Sequence, residues 1–112
     1  MSDPLGDSAF WILTALASGR RHGYAIVQEV ADRSDGAVRL KATTLYTVLE
    51  RLAREQLVET DGDEVVAGRT RRYFRLTTPG AARLQQETDL LEARVRTARA
   101  QLTQFRPVGG QA

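Results

Sequence analysis

"KATTLYTVLERLAREQLVE", residues 41–59, presents two chemically different faces at one helical period. Leu45, Leu49 and Leu52 recur at i, i+4 and i+7 with Val48 beside them, which makes a single apolar stripe. Thr44, Thr47, Arg51 and Arg54 fall on the opposite side. The stretch predicts an amphipathic helix capped at Thr43 or a neighbour, with an outer face of hydroxyls and guanidiniums. For a helix in isolation, a solvated polar face is the ordinary reading of such a pattern. Its neighbours in the chain decide between that reading and a binding surface.

Upstream, "DSAFWILTALASG" (7–19) reads as a first helix, capped by Ser8 or Asp7 and stopped at Gly19. Phe10, Trp11, Ile12, Leu13, Ala15 and Leu16 leave it almost no polar side. A small domain rarely surrounds a helix completely, so a second chain is expected to cover part of it. "RHGYAIVQEVADRS" (21–34) reads as a second helix, with Tyr24, Val27, Val30 and Ala31 on its inner face. "DGAVRL" (35–40) connects it to the opening stretch and breaks at Gly36.

Downstream, Leu57–Thr60 and Arg72–Leu76 are two β-leaning runs around a loop marked by Asp61–Gly62 and Gly68. Phe74 and Leu76 are expected to face inward, with Tyr73 and Arg75 on the other side. A lone ribbon is barely stable in water, so it must lie against the helices. Residues 78–105 then read as one long helix, capped by Thr78 with Pro79 in its first turn. Leu84, Thr88, Leu91, Val95, Ala98, Leu102 and Phe105 recur in alternating steps of four and three, a heptad seam. Pro107 and Gly109–Gly110 end the pattern and predict a frayed tail.

Composition narrows the function. The 112 residues make one domain, with 42% hydrophobic and 27% charged residues, as in ordinary globular proteins. No apolar run approaches membrane-spanning length, no signal peptide is recognisable and there is no cysteine, which together point to a cytoplasmic protein without a membrane partner. Net charge is only +2, but its distribution is uneven. Arg69, Arg71, Arg72 and Arg75 follow one another with no acid between them, just after an acidic group of Glu59, Asp61, Asp63 and Glu64. One histidine, His22, and no convergent carboxylates build neither a metal site nor a nucleophile–base pair, so neither an enzyme nor a cofactor is expected. His22 is read instead as helping to begin the second helix, and Glu50 and Glu55 as helix-surface charges.

Helix, helix, helix, ribbon is the order of a winged helix-turn-helix, in which the third helix enters the major groove of DNA and the ribbon lies on the backbone or minor groove. The expected fold is therefore mainly α with a small two-stranded β wing. It divides into a winged helix-turn-helix over residues 1–77, a C-terminal dimerisation helix over 78–106 and a flexible tail over 107–112. The chain also resembles the PadR-like transcriptional regulators. The matching segments are "HGYAI" (22–26), "TTLYTVLERLAREQLVE" (43–59) and "RRYFRLTTPG" (71–80), in that order and spacing, and the likeness spans about residues 8–105. The length and the single C-terminal helix are those of the short subtype. The family more often has a glycine where Ala42 or Thr43 stands. Some short members line a drug-binding pore with tryptophan from the last helix. That helix has none here, and Trp11 is the only tryptophan.

The resemblance implies a homodimer that represses from an inverted-repeat operator and releases it when a small-molecule effector binds. In that frame Lys41, Thr43, Thr44, Tyr46, Thr47 and Arg51 are candidate DNA contacts on the third helix, and Arg69, Arg71, Arg72 and Tyr73 on the wing. Tyr46 has two open readings, a phosphate contact through its hydroxyl or a ring packed under the ribbon. Arg75 has the alternative of pairing with Glu59 across the ribbon. Candidate dimer contacts are Phe10, Trp11 and Leu13 of the first helix and Leu84, Leu91, Val95, Ala98, Leu102 and Phe105 of the last. A protein–protein adaptor on the same scaffold is the competing reading, since folds host many functions. It would need no continuous basic strip joining the third helix to the wing.

Overall fold

Three leucines determine how the helices meet. In the computed structural model, which describes residues 5–109, Leu45, Leu49 and Leu52 are 1%, 2% and 0% exposed. They line the inner side of α3 (Ala42–Arg54). Against them pack Ile12, Leu13 and Leu16 of α1 (Asp7–Ala17), and Ile26 and Val30 of α2 (Gly23–Arg33). Each such side chain contributes roughly 1.5–3 kcal/mol when fully buried. The core closes with Val58 of β2 (Val58–Val66) and Phe74 of β3 (Arg69–Leu76), followed by the long α4 (Thr78–Gln104).

His22 caps α2 as its sequence reading has it, but α1, α3 and α4 start differently from their sequence signals. Gly6, not Ser8 or Asp7, is the α1 cap, and α3 begins after Lys41 with no side-chain cap, so Thr43 lies inside the helix. In α4 the cap is Thr77 rather than Thr78: its hydroxyl accepts from the Gly80 amide (2.9 Å) and donates to the Gln56 carbonyl (2.7 Å). That second bond ties α4 to the end of α3, which only the three-dimensional neighbourhood reveals. In α2 the inner positions are Gly23, Ile26 and Val30, and Tyr24 is 69% exposed rather than buried.

The ribbon is longer and tighter than two short runs around a loop. β2 and β3 are antiparallel from Val58↔Leu76 to Val66↔Arg69 and are joined by Ala67–Gly68. Both turn residues have positive φ (52° and 76°), the left-handed pair that matches the twist of a two-residue hairpin. Asp61–Gly62, read from sequence as part of the loop, is a bulge within β2. A third strand, β1 (Arg21–His22), pairs with β3 and gives the order β1-β3-β2. Two residues carry no readable periodicity, so this strand had no sequence signal.

α4 has two environments. Its first turns pack on the domain, with Gly80 so close beneath the chain that a Cβ there would collide with the Leu57 carbonyl oxygen. Leu84 is half-buried against the core, whereas Leu91, Val95, Ala98 and Leu102, with Phe105 just past the helix end, stay exposed. Leu13, expected at a dimer contact, is 0% exposed and belongs to this chain's own core, because α1 turns that side toward α2 and α3. Of the tail expected to be flexible (107–112), residues 110–112 lie outside the described residues. Among the described residues, no helix is long and apolar enough to cross a membrane.

Since the obstacle at Gly80 is a backbone carbonyl that cannot rotate away, Gly80→Ala is expected to lower the unfolding free energy by about 1–3 kcal/mol. Urea unfolding of the purified variant reads this directly, and a midpoint equal to wild type would refute the tight docking of α4.

Candidate nucleic-acid interface

The outer face of α3 follows from its inner one. With the leucines inside, Thr43, Thr44, Thr47, Arg51 and Arg54 are all exposed, and so is Lys41 before the helix. The Thr47 hydroxyl donates to the Thr43 carbonyl (2.9 Å), which leaves its oxygen lone pairs outward. Arg54 is engaged by Glu50 one turn back (3.2 Å). Arg51 makes no ion pair among the described residues, so its guanidinium is the uncommitted cation on this face.

Tyr46 stands at the junction of helix and wing. Its ring is tilted against Phe74 (centroids 6.4 Å apart), and its hydroxyl lies over Gly23, where any Cβ would collide with it. The hydroxyl makes no hydrogen bond among the described residues and opens into a groove of about 480 Å³. His22, Gly23 and Tyr24 form one wall of this groove and residues 69–72 of β3 another. The ring is therefore packing, while the polar tip is free.

The wing arginines are not equivalent. The hairpin folds the acidic run back onto the basic one, so charges that are segregated along the sequence become neighbours in space. Arg75 pairs with Glu59 (3.2 Å) and Arg72 with Asp63 (3.4 Å). Arg69 and Arg71 have no carboxylate partner among the described residues. Tyr73, a candidate DNA contact, is a brace at the wing's base. Its hydroxyl donates to Glu64 (3.0 Å), Arg20 lies 4.0 Å over its ring, and His22 meets it edge-on at 5.4 Å. The Glu64 bond is also the main reason its pKa is raised.

His22, Tyr24 and Arg20 were not singled out as interface residues from the sequence. For Tyr24 a signal was present: a glycine opening the helix, with Ile26 and Val30 at the next inner positions, turns residue 24 outward. His22 and Arg20 depend on strand pairing and had none.

His22 has a defined chemical state. Its Nδ1 accepts the Ala25 amide (3.2 Å) and caps α2, so the neutral ring carries its proton on Nε2. Nε2 faces Arg71 Nη1 at 3.4 Å. In this tautomer both of these nitrogens are donors, so the ring offers Arg71 no acceptor at this distance. Burial, and secondarily the Arg71 guanidinium, holds the His22 pKa below its ordinary value, while Glu64 pulls the other way. A protonated Nδ1 also cannot accept from Ala25.

The sequence matches the family model described as the transcriptional regulator PadR-like family over residues 12–86. It is 35% identical over 75 residues to "Uncharacterized protein X" of Lysinibacillus sphaericus, covering 67% of this chain and 69% of that one. In fold it is similar to a transcriptional regulator of Clostridium thermocellum, with TM-score 0.71 at 24% identity over 87% of this chain and 92% of that one. It is also similar to Bacillus subtilis PadR in complex with operator DNA, with TM-score 0.59 at 18% identity over 92% of this chain and 50% of that one.

The depressed pKa of His22 sets a pH dependence. The neutral form is favoured by folding, so its contribution is complete above about pH 6.5 and is lost as pH falls through the lower folded value. Thermal midpoints taken from about pH 7.5 to about pH 5 should therefore drop for wild type. His22→Asn, which keeps a capping oxygen, should flatten that part of the curve; parallel curves would exclude His22 as the cause.

Proposed function

The chain belongs to the PadR-like family of transcriptional regulators, and from that membership we propose that it binds operator DNA sequence-specifically, as a homodimer, and represses transcription. The observation that carries this reading is α3: its leucine stripe is locked in the core while Thr44, Thr47 and Arg51 stand exposed, flanked by the wing's uncommitted arginines. In this reading α3 lies in the major groove. Arg51, with the threonines beside it, reads base edges, and a base contact by Arg51 is worth about 1–3 kcal/mol of discrimination. Lys41, Arg69 and Arg71, the Tyr46 hydroxyl and the Nε2–H of His22 contact phosphates, which fix position without reading sequence. Arg72 joins them only by leaving Asp63. Work on the chromosome puts the protein in the cytoplasm.

The dimer reading rests on the free half of α4. Leu91, Val95, Ala98, Leu102 and Phe105 keep the four–three spacing of a coiled-coil seam, yet Val95 is 49% and Leu102 69% exposed. A second copy of the same helix is the cover that this spacing fits. Two α3 helices held by such a pair would sit about 34–36 Å apart, one DNA turn, or a multiple of it. A small-molecule effector completes the proposal. It is supported by Phe10 and Trp11, in edge-to-face contact (5.3 Å) and only partly buried at the border of the core.

In anisotropy titrations against the protein's own promoter region, Arg71→Ala is expected to weaken binding to every sequence and to reduce the salt slope by about 1. Arg51→Ala should mainly relax specificity. Wild-type binding with no salt slope and no sequence preference would end the DNA-binding reading. Val95→Glu should shift the chain to monomer in analytical ultracentrifugation; an unchanged mass would remove α4 from the interface.

A further inference from the structure

The wing carries its own counter-charge, and a single irregularity aims it. Along β2, two residues, Asp61 and Gly62, stand opposite the single residue Tyr73, so the register slips between Thr60↔Phe74 and Asp63↔Arg72. In a regular ladder of the same sequence, without the bulge, Gly62 would face Arg72. The bulge brings a carboxylate there instead, and Asp63 Oδ1 accepts from Arg72 Nε at 3.4 Å. Arg20 holds the bulge by donating from Nη1 to the Asp61 carbonyl (2.9 Å).

Strand alternation puts Arg72 on the same pleat face as Phe74, the residue that Tyr46 of α3 lies against. Arg72 is therefore the wing arginine that shares the core-facing pleat face, while Arg69 and Arg71, on the other face, also line the groove beside Tyr46. Glu64, in register with Arg71, lies on the other pleat face and takes the Tyr73 hydroxyl. The Asp63–Arg72 pair is 51% and 61% exposed, so DNA can displace it, but a pair that stays together neutralises no phosphate.

We propose that Asp63 is a specificity-determining residue, holding Arg72 away from DNA phosphates unless the contacts of α3 have already seated the wing. This rests on the DNA-binding reading above. Non-specific affinity comes almost entirely from phosphate neutralisation and counterion release. A carboxylate beside Arg72 removes one phosphate contact from every wrong site. At the right site, base contacts bring a phosphate close enough to compete with Asp63.

The test compares Asp63→Asn with Glu59→Gln, which removes the same unit of charge from the Glu59–Arg75 pair on the opposite pleat face. Full-length proteins are titrated by fluorescence anisotropy against a mixed-sequence duplex and against one enriched from a random pool by the wild type, from about 50 to about 200 mM salt. Asp63→Asn is expected to steepen the salt slope on the mixed duplex by about 0.9 per bound copy. Over that fourfold salt range this amounts to a further change in affinity of about threefold per copy. The enriched-to-mixed ratio should fall, and adding Arg72→Ala should cancel the gain.

Glu59→Gln should keep the wild-type slope. Equal steepening in both variants would mean that net charge alone is responsible, and no steepening in Asp63→Asn would mean that Arg72 never depended on it; either result overturns the assignment. Those outcomes presuppose salt-dependent DNA binding by the wild type. Its absence would instead remove the DNA-binding reading, and the assignment with it.

Discussion

Burial of one leucine stripe governs the rest of this molecule. Leu45, Leu49 and Leu52 span two turns of α3, so sealing them against α1, α2 and Phe74 fixes the helix in rotation as well as position. A turn of one residue about its axis, 100°, would trade buried leucine for buried threonine or arginine, and each unpaired polar group would cost a few kcal/mol. Thr44, Thr47 and Arg51 face outward as a consequence of core packing, before any partner is present. The close approach of Tyr46 over Gly23 belongs to the same constraint, because it lets α2 start beside α3 and leaves a groove between them and the wing.

Electrostatics plays a different part. The ion pairs of the hairpin are exposed, and pairs of that kind contribute only about 0.2–1 kcal/mol. The base of the wing is held instead by Val58 and Phe74 in the core and by the Arg20–Tyr73–His22 stack. What the pairs control is which cations stay available. Of the arginines on β3, Arg72 and Arg75 have carboxylate partners, while Arg69 and Arg71 have none among the described residues. A modest net charge thereby coexists with a locally basic groove.

α4 joins the two scales of the protein. At about 1.5 Å per residue, its 27 residues extend about 40 Å. It accounts for much of the 68 Å long axis of a molecule only 29 × 21 Å across. Its first turns are locked by Thr77 and Gly80, so its apolar free end projects in a direction set by the core.

Much of this could be read from the residues in order. The helices, the inner stripe of α3, the inward Phe74 and the four–three pattern of α4 are local periodicities, and helical and pleated geometry alone assigns their faces. The candidate contacts of the wing, Arg69, Arg71, Arg72 and Tyr73, could be named from the sequence, but not which of the arginines a carboxylate engages. What the tertiary structure decided is who stands next to whom: β1 beside β3, Thr77 under Gln56, Leu13 inside, Tyr73 under Arg20, and Asp63 rather than Gly62 across from Arg72. Those pairings depend on strand register and on packing between segments far apart in the chain. One extra residue in a strand changes them without altering the local pattern from which a sequence is read.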